Sequence, residues 1–281
     1  MPIAARAFFY LCVILFYHPL TAQEPPLSAL QGLGDTRYHR LESQRQSQTY
    51  HLFVRLPEPY DSAQTYPAVY LLDGGHTFPM LGAYYRYLQF AGELPPLIVV
   101  GISYGSDDWQ QGNGRSRDFT APAADRDYWG GAEIFREVLR EEILPLVEGN
   151  YRADPHRRVI FGQSLGGQFV LYCAQTDPQL FRGYIASNPA LHRNLDFFLQ
   201  TRPEKAATAD APRLFVSSGE DDDPAFRDPA LAWMAHWKQQ TNLPWTLKTV
   251  TLAGQGHFSA APEAFRQGMV WIAEFGMRSA E

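Results

Sequence analysis

The sharpest chemical signal in the chain is the run Arg158-Val-Ile-Phe-Gly162-Gln163-Ser164-Leu165-Gly166-Gly167. A β-rich stretch leads directly into G-x-S-x-G, and a helical pattern follows at once. A serine that projects its Oγ from the end of a sheet must sit on a tight, strained strand-to-helix turn. Bulky side chains at Gly162 and Gly166 are expected to collide with that turn. The helix beginning at Leu165 points its free N-terminal N–H groups toward the serine, so the Leu165 N–H is placed to stabilise an oxyanion. Ser164 therefore reads as a nucleophile.

A serine is a weak nucleophile unless a histidine takes its proton and a carboxylate orients that histidine. After a G-x-S-x-G elbow the partners follow in the order acid, then histidine. Three histidines lie downstream: His192, His236 and His257. His236 falls in a helical pattern, LAWMAHWKQQ, where it packs or faces solvent. His192 comes directly after a strand and Pro189-Ala190-Leu191, too early for the last member. His257 lies in Gly254-Gln-Gly256-His257-Phe258-Ser259, a glycine-rich loop between the last strand and the last helix, from which an imidazole can reach back. The acid belongs in the loop after the penultimate strand, where Gly219-Glu220-Asp221-Asp222-Asp223 stands. Most of these acids are surface charge. Asp222, three residues after the glycine, is the choice, with Asp221 and Glu220 as alternatives. A second oxyanion donor comes from the loop after an early central strand, here Tyr70-Leu-Leu-Asp73-Gly74-Gly75-His76. The Gly75 N–H is favoured and that of His76 is next. The His76 side chain either lines the site or caps the following helix.

These residues need a sheet to hold them. Strand-length apolar runs occur at 49–56, 68–73, 97–103, 158–161, 183–187, 213–218 and 246–252. Several are continuous (AVYLL, LIVVGI, RLFV), as in strands buried on both faces of a mostly parallel sheet. Helical patterns fall between them. Residues 133–147 carry a stripe of Ile134, Phe135, Val138, Leu139, Ile143 and Leu146, Leu165 to Cys173 repeats at helical spacing, and 262–275 closes the chain. The alternation argues for an α/β fold, a mostly parallel central sheet with helices on both faces. Residues 23–48 are polar and turn-rich and lead in as an arm or edge strand. Residues 105–131 are a long aperiodic stretch of Gly, Asp, Arg and aromatics, and a loop of that length inside a compact domain is usually functional.

Composition removes whole classes of function. The chain has 281 residues, 45% hydrophobic and 19% charged, with a net charge of −6, so no basic field invites nucleic acid or anionic lipid. Its two cysteines cannot build a disulfide framework or a cysteine-rich zinc site. Residues 1–22 read as a secretory signal: Arg6 in the n-region, an apolar core of AFFYLCVILFY, and a small residue at Ala22. Eleven apolar residues are too few for a spanning helix, which needs about 20. Residues 23–281 then form one domain that is periplasmic or secreted, without stable membrane insertion, and Cys173 is its only thiol.

The motifs YLLDGGHTF, GISYGS followed by RSRDFTAP, FREVLREEILPLVEGNY, GQSLGGQFVL, ASNPAL, SSGEDDD and GQGHFS run in an order that resembles the putative-esterase (esterase D-like) family of α/β-hydrolases. The chain is most similar to its ferric-siderophore, enterochelin-type esterases, over about residues 45–275. The resemblance implies an α/β-hydrolase fold and a serine esterase that uses no metal or organic cofactor, with Ser164 and His257 catalytic. Some siderophore esterases of this group work largely through Ser and His, which leaves a dyad open beside the Asp222 triad. Two positions depart from the pattern. Gln163 stands where relatives often have His, and Asn188-Pro189-Ala190 stands where they tend to have Ser-Pro and a bulky aromatic, so the acyl pocket and the substrate stay open.

Within the long loop, Arg117 and Asp118 are expected to pair and hold the loop. Arg115, Trp109 and Trp129 are the candidates to line a pocket, by charge and stacking. Cys173 lies on the apolar stripe behind the nucleophile and reads as a buried, inert thiol. Together the residues point to an exported serine esterase acting on a small-molecule ester, with a siderophore lactone or an acylated sugar among the candidates. An acyltransferase with the same Ser-His-Asp machinery is the first alternative, and a binding protein that keeps the fold is the second. Activity should rise with pH as His257 loses the proton that blocks its role as general base.

Overall fold

The apolar runs assemble one eight-stranded sheet. Its strands are β1 (Thr36–Glu42), β2 (Thr49–Arg55), β3 (Tyr66–Leu71), β4 (Ile98–Ser103), β5 (Ala153–Gln163), β6 (Gly183–Ser187), β7 (Arg213–Gly219) and β8 (Thr246–Leu252). The computed structural model describes residues 29–203 and 211–274. The leader expected at 1–22 and the end of the last helix expected at Phe275 lie outside the described residues. The strand order is β1-β2-β4-β3-β5-β6-β7-β8. β1 and β2 pair antiparallel, as do β2 and β4, and every other pairing is parallel. All six residues of β3 and all six of β4 are buried, as their unbroken apolar sequences require. β1, from the polar arm, is the edge strand, and most of its residues face solvent.

Among the described residues, eight α-helices flank the sheet: α1 (Gly74–Phe90), α2 (Arg115–Asp118), α3 (Ala132–Val138), α4 (Leu144–Asn150), α5 (Leu165–Thr176), α6 (Leu195–Gln200), α7 (Pro224–Lys238) and α8 (Ala261–Ala273). One apolar layer joins Tyr70, Ile160 and Tyr184 to Phe135, Phe169 and Trp233 from α3, α5 and α7. The opposite layer joins Leu71, Phe161, Ile185 and Phe215 to Phe78 and Leu81 of α1 and Phe265 and Met269 of α8. Each fully buried side chain of this kind contributes about 1.5–3 kcal/mol against the entropy of ordering the chain. Cys173 is buried in the first layer, and burial raises its thiol well above the ordinary range.

The stripe expected over 133–147 is altered by a π-helical turn at Leu139–Ile143. That turn adds a residue to one coil, so Leu144 and Val147 take the inward positions and Leu146 is left half-buried. Ile134, expected on the stripe, is 47% exposed.

Register matters most for function. Leu71 pairs with Phe161, Gln163 with Ser187, and Ser187 with Ser217. The carboxyl ends of β3, β5, β6 and β7 thus finish on one line, the edge where open α/β sheets present their chemistry.

Candidate active site

Ser164 follows the last residue of β5 with φ 59° and ψ −116°, a conformation that a non-glycine residue rarely adopts. Three hydrogen bonds of 3.0 Å hold it there. Its N–H donates to Ser187 O, and its carbonyl accepts from the N–H groups of Gln168 and Ala190. Four non-glycine residues among those described have positive φ, and three of them, Asp73, Ser164 and Asn188, stand just beyond the ends of β3, β5 and β6. Strain of this kind concentrates where geometry is set for chemistry.

The glycines of the elbow need one correction. A Cβ at Gly162 would come within 2.2 Å of Gly166 O, so no side chain fits there. At Gly166 a Cβ would meet only ordinary contacts, 3.5 Å away on Asp73 and Leu72, so only a larger side chain would be excluded there. The crowded position is instead Gly167, where a Cβ would meet Ser187 O at 2.8 Å and Pro189 Cα at 3.1 Å. The first turn of α5 is thus wedged against the end of β6 by Gly167, while Gly166 faces the β3–α1 turn.

His257, Asp222 and Ser164 meet across two loops. His257 Nε2 lies 2.9 Å from Ser164 Oγ, and Nδ1 lies 2.8 Å from Asp222 Oδ2. A carboxylate only accepts, so Nδ1 carries the proton and Nε2 is left as the acceptor facing the hydroxyl. Asp222 is 3% exposed. Of the alternatives in its loop, Glu220 accepts from the Gly254 N–H, and Asp221 is exposed. The other downstream histidines stand apart from the serine in role. His236 packs edge-on against Trp237 on α7. His192 sits edge-on to Phe226, whose ring lies 4.6 Å from that of His257. Burial and then the neighbouring Arg193 lower the His192 pKa.

The two N–H groups expected to receive an oxyanion each stand at a helix start. The Gln168 N–H makes the first bond of α5, to Ser164 O, so the Leu165 N–H has no partner within its helix. At α1 the N–H groups of His76 and Thr77 donate to Asp73 O, which takes His76 out of contention and leaves Gly75. The His76 imidazole does not cap α1. It is exposed, and Nε2 lies 2.8 Å from Asp107 of the long loop.

That loop is anchored from beneath. Asp118 is fully buried and accepts from Tyr50 at 2.7 Å, Tyr104 at 3.0 Å, Gln46 at 3.3 Å and Arg117 at 2.7 Å. Burial, reinforced by the Asp118 charge, raises both tyrosine pKa values. Arg115 spends its guanidinium on Asp73, with Nε 2.6 Å from Oδ1 and Nη2 3.0 Å from Oδ2. Trp129 is half-buried, its ring edge-on to His192, and Trp109 is 77% exposed.

Two residues escaped the sequence reading. The Asn188 side-chain amide donates to Asp222 Oδ2 at 2.8 Å, so one carboxylate oxygen serves both Asn188 and His257. The Gln163 side-chain amide donates to the backbone carbonyl of His257, tying the histidine loop to the elbow. Both stand at strand ends, and both are positions that the sequence reading marks as unusual for the resemblance. That was the available signal. Among the described residues, no group of three or more His, Cys, Asp or Glu is arranged to hold a metal ion, and no helix is long and apolar enough to cross a membrane.

The profile of the family described as "Putative esterase" matches residues 43–277. The chain is 35% identical over 182 residues to the ferri-bacillibactin esterase of Bacillus subtilis, covering 59% of this chain and 62% of that protein. It is 28% identical over 211 residues to the apo-salmochelin esterase of Escherichia coli, covering 68% and 65%. These matches span a little under two thirds of either relative. In structure it is similar to an IroE-like serine hydrolase from Shewanella oneidensis, with a TM-score of 0.72 and 24% identity, over 84% of this chain and 79% of that one. That likeness shows the fold, an α/β-hydrolase.

Proposed function

Because the chain belongs to the putative-esterase family, we propose that it is a serine esterase that hydrolyses a small-molecule carboxylic ester through an acyl-enzyme on Ser164. The observation that carries this reading is the continuous hydrogen-bond path from Asp222 through His257 to Ser164 Oγ. Ser164 Oγ attacks the ester carbonyl while His257 Nε2 takes its proton. Asp222 holds the Nδ1–H and stabilises the imidazolium as it forms. The N–H groups of Leu165 and Gly75 receive the oxyanion. The imidazolium then protonates the departing alcohol. Water, deprotonated by the same histidine, releases the acid and restores the serine. The reaction calls on no metal or organic cofactor.

The relatives named for ferri-bacillibactin and apo-salmochelin support a siderophore-type ester as substrate, with an acylated sugar as the second class. Residues 1–22 are proposed to direct the single domain at 23–281 to the periplasm or the medium, where such an ester would be met.

The test is hydrolysis of chromogenic acyl esters of graded chain length by wild type and Ser164→Ala. The expected result is turnover in wild type that falls by several orders of magnitude in the variant, as triads elsewhere behave. Equal turnover in both proteins would overturn the assignment of the nucleophile.

A further inference from the structure

The proposed reaction needs three turns held in register: the elbow at Ser164, the loop of His257, and the β3–α1 turn that offers the Gly75 N–H. Backbone bonds to β6 fix the elbow, and the Gln163 amide ties the histidine loop to it. The third turn is fastened differently. Its pivot, Asp73, has φ 55° and ψ 41°, left-handed for a non-glycine residue. Asp73 occupies the position before α1 from which an aspartate normally caps a helix, yet its side chain makes no capping bond.

Both of its carboxylate oxygens are instead taken by Arg115, in the two-pronged geometry that a guanidinium fork matches best. The Nη2 of the same side chain reaches the carbonyl of Gln163, the residue before the nucleophile, in a long contact of 3.5 Å. Burial opposes the Arg115 charge, but the facing Asp73 carboxylate outweighs it and the pKa is raised. The base of Arg115 is anchored by packing and hydrogen bonds as well. It opens the short α2, its guanidinium lies 5.7 Å above the buried Phe119 ring, and α2 ends at the buried Asp118 with its four donors.

We infer that Arg115 is a positioning residue: its fork on Asp73 fixes the turn that carries the Gly75 N–H, and its contact with Gln163 sets that turn against the nucleophile elbow. The inference rests on the serine-esterase reading above. It assigns Arg115 to the shape of the oxyanion site, where the sequence alone suggested a group that meets anionic substrate.

A matched pair of esters separates the two roles, one with a neutral acyl group and one carrying a carboxylate, assayed with wild type, Ser164→Ala, Arg115→Gln, Arg115→Lys, Asp73→Asn and the Arg115→Gln/Asp73→Asn double variant. Asparagine tolerates the left-handed conformation, so Asp73→Asn removes the charge without forcing the turn, and it carries the test if Arg115→Gln does not fold. Loss of one oxyanion donor costs about 10²–10³ in kcat. A donor displaced but still present should cost about 10–10². The expected result is that fall in kcat for Arg115→Gln and Asp73→Asn, alike on both esters, with KM within about twofold. Arg115→Lys should fall nearly as far, because an ammonium cannot make the fork. The double variant should be no worse than the poorer single variant, since both remove one contact. A KM increase confined to the carboxylate ester, with kcat on the neutral ester intact, would overturn the inference and make Arg115 a substrate ligand. Additive losses in the double variant would also overturn it. Wild type without Ser164-dependent turnover would sink the esterase reading itself, and this inference with it.

Discussion

On the mechanism proposed above, replacing Asp222 by asparagine separates two contributions of the acid, charge and orientation. As His257 takes the serine proton it becomes a cation beside a carboxylate oxygen 2.8 Å from its Nδ1. The side chains of His257 and Asp222 are only 11% and 1% exposed, so the attraction is little screened. With charge centres roughly 4 Å apart and an effective dielectric of about 20, that attraction is about 4 kcal/mol. At 1.36 kcal/mol per decade it is worth about 10³ in rate. Orientation comes on top. A carboxamide that turned its NH2 toward Nδ1 would force the imidazole proton onto Nε2, the atom that must accept from Ser164. A triad Asp→Asn change of that kind costs about 10⁴ in a serine protease.

Asn188 decides between these outcomes. Its amide donates to the same oxygen that serves His257, and so demands an acceptor there. Asp222→Asn alone should therefore keep its oxygen toward His257 and lose about 10³ in kcat, the charge term. In the Asn188→Ala background the carboxamide is free to turn, and the loss should deepen toward 10⁴. Asn188→Ala by itself, with the carboxylate present, should cost less than tenfold. The assay is kcat on a short-chain aryl ester for the three variants, with thermal melts to confirm folding. A loss under tenfold for Asp222→Asn would refute the charge argument and leave a Ser-His dyad. A double variant no worse than Asp222→Asn would refute the role given to Asn188.

The elbow glycines should separate in stability. Gly167→Ala pushes a methyl against Ser187 O and Pro189 Cα, backbone atoms that cannot swing aside, and overpacking of this kind costs about 1–3 kcal/mol. Gly166→Ala meets only ordinary contacts, so thermal melts should place Gly167→Ala several degrees below Gly166→Ala, and the reverse order would refute the packing argument. Cys173 should resist alkylation in the folded protein at pH 8, because burial raises its pKa and only the thiolate reacts. Mass spectrometry should find it labelled once guanidinium unfolds the chain, and labelling under native conditions would contradict the burial.

The sequence carried the sheet because its signal there is local. An unbroken run such as IVVGIS names a strand buried on both faces without reference to anything else, and β6 and β8 fall at the residues expected from their patterns. The π turn at Leu139–Ile143 was not legible, since one inserted residue leaves the apolar count of a helix unchanged and alters only which side chains face in. The elbow was legible for the same local reason, and acid then histidine is the order that accompanies a G-x-S-x-G elbow in α/β-hydrolases. Ser164, His257 and Asp222 could be named, but Asp222 could not be distinguished from Glu220 or Asp221 by residue type. Burial and the shared oxygen are what distinguish it.

Contacts between distant positions stayed hidden. Asn188 and Asp222 lie 34 residues apart, Arg115 and Asp73 lie 42 apart, and Gln163 and His257 lie 94 apart. A charged residue in an aperiodic loop looks the same whether it faces substrate or a carboxylate of its own chain, so Arg115 read as a ligand. What decides the matter is the backbone of its partner. An aspartate at φ 55° before a helix, with no cap bond to make, requires some other group to hold it. Arg115 supplies that group, and the turn that results leaves the Gly75 N–H without a carbonyl of its own. The strain at Asp73 and the strain at Ser164 thus serve one end. Each stands directly before a helix at the sheet edge, where the first N–H groups of that helix have no partner within it.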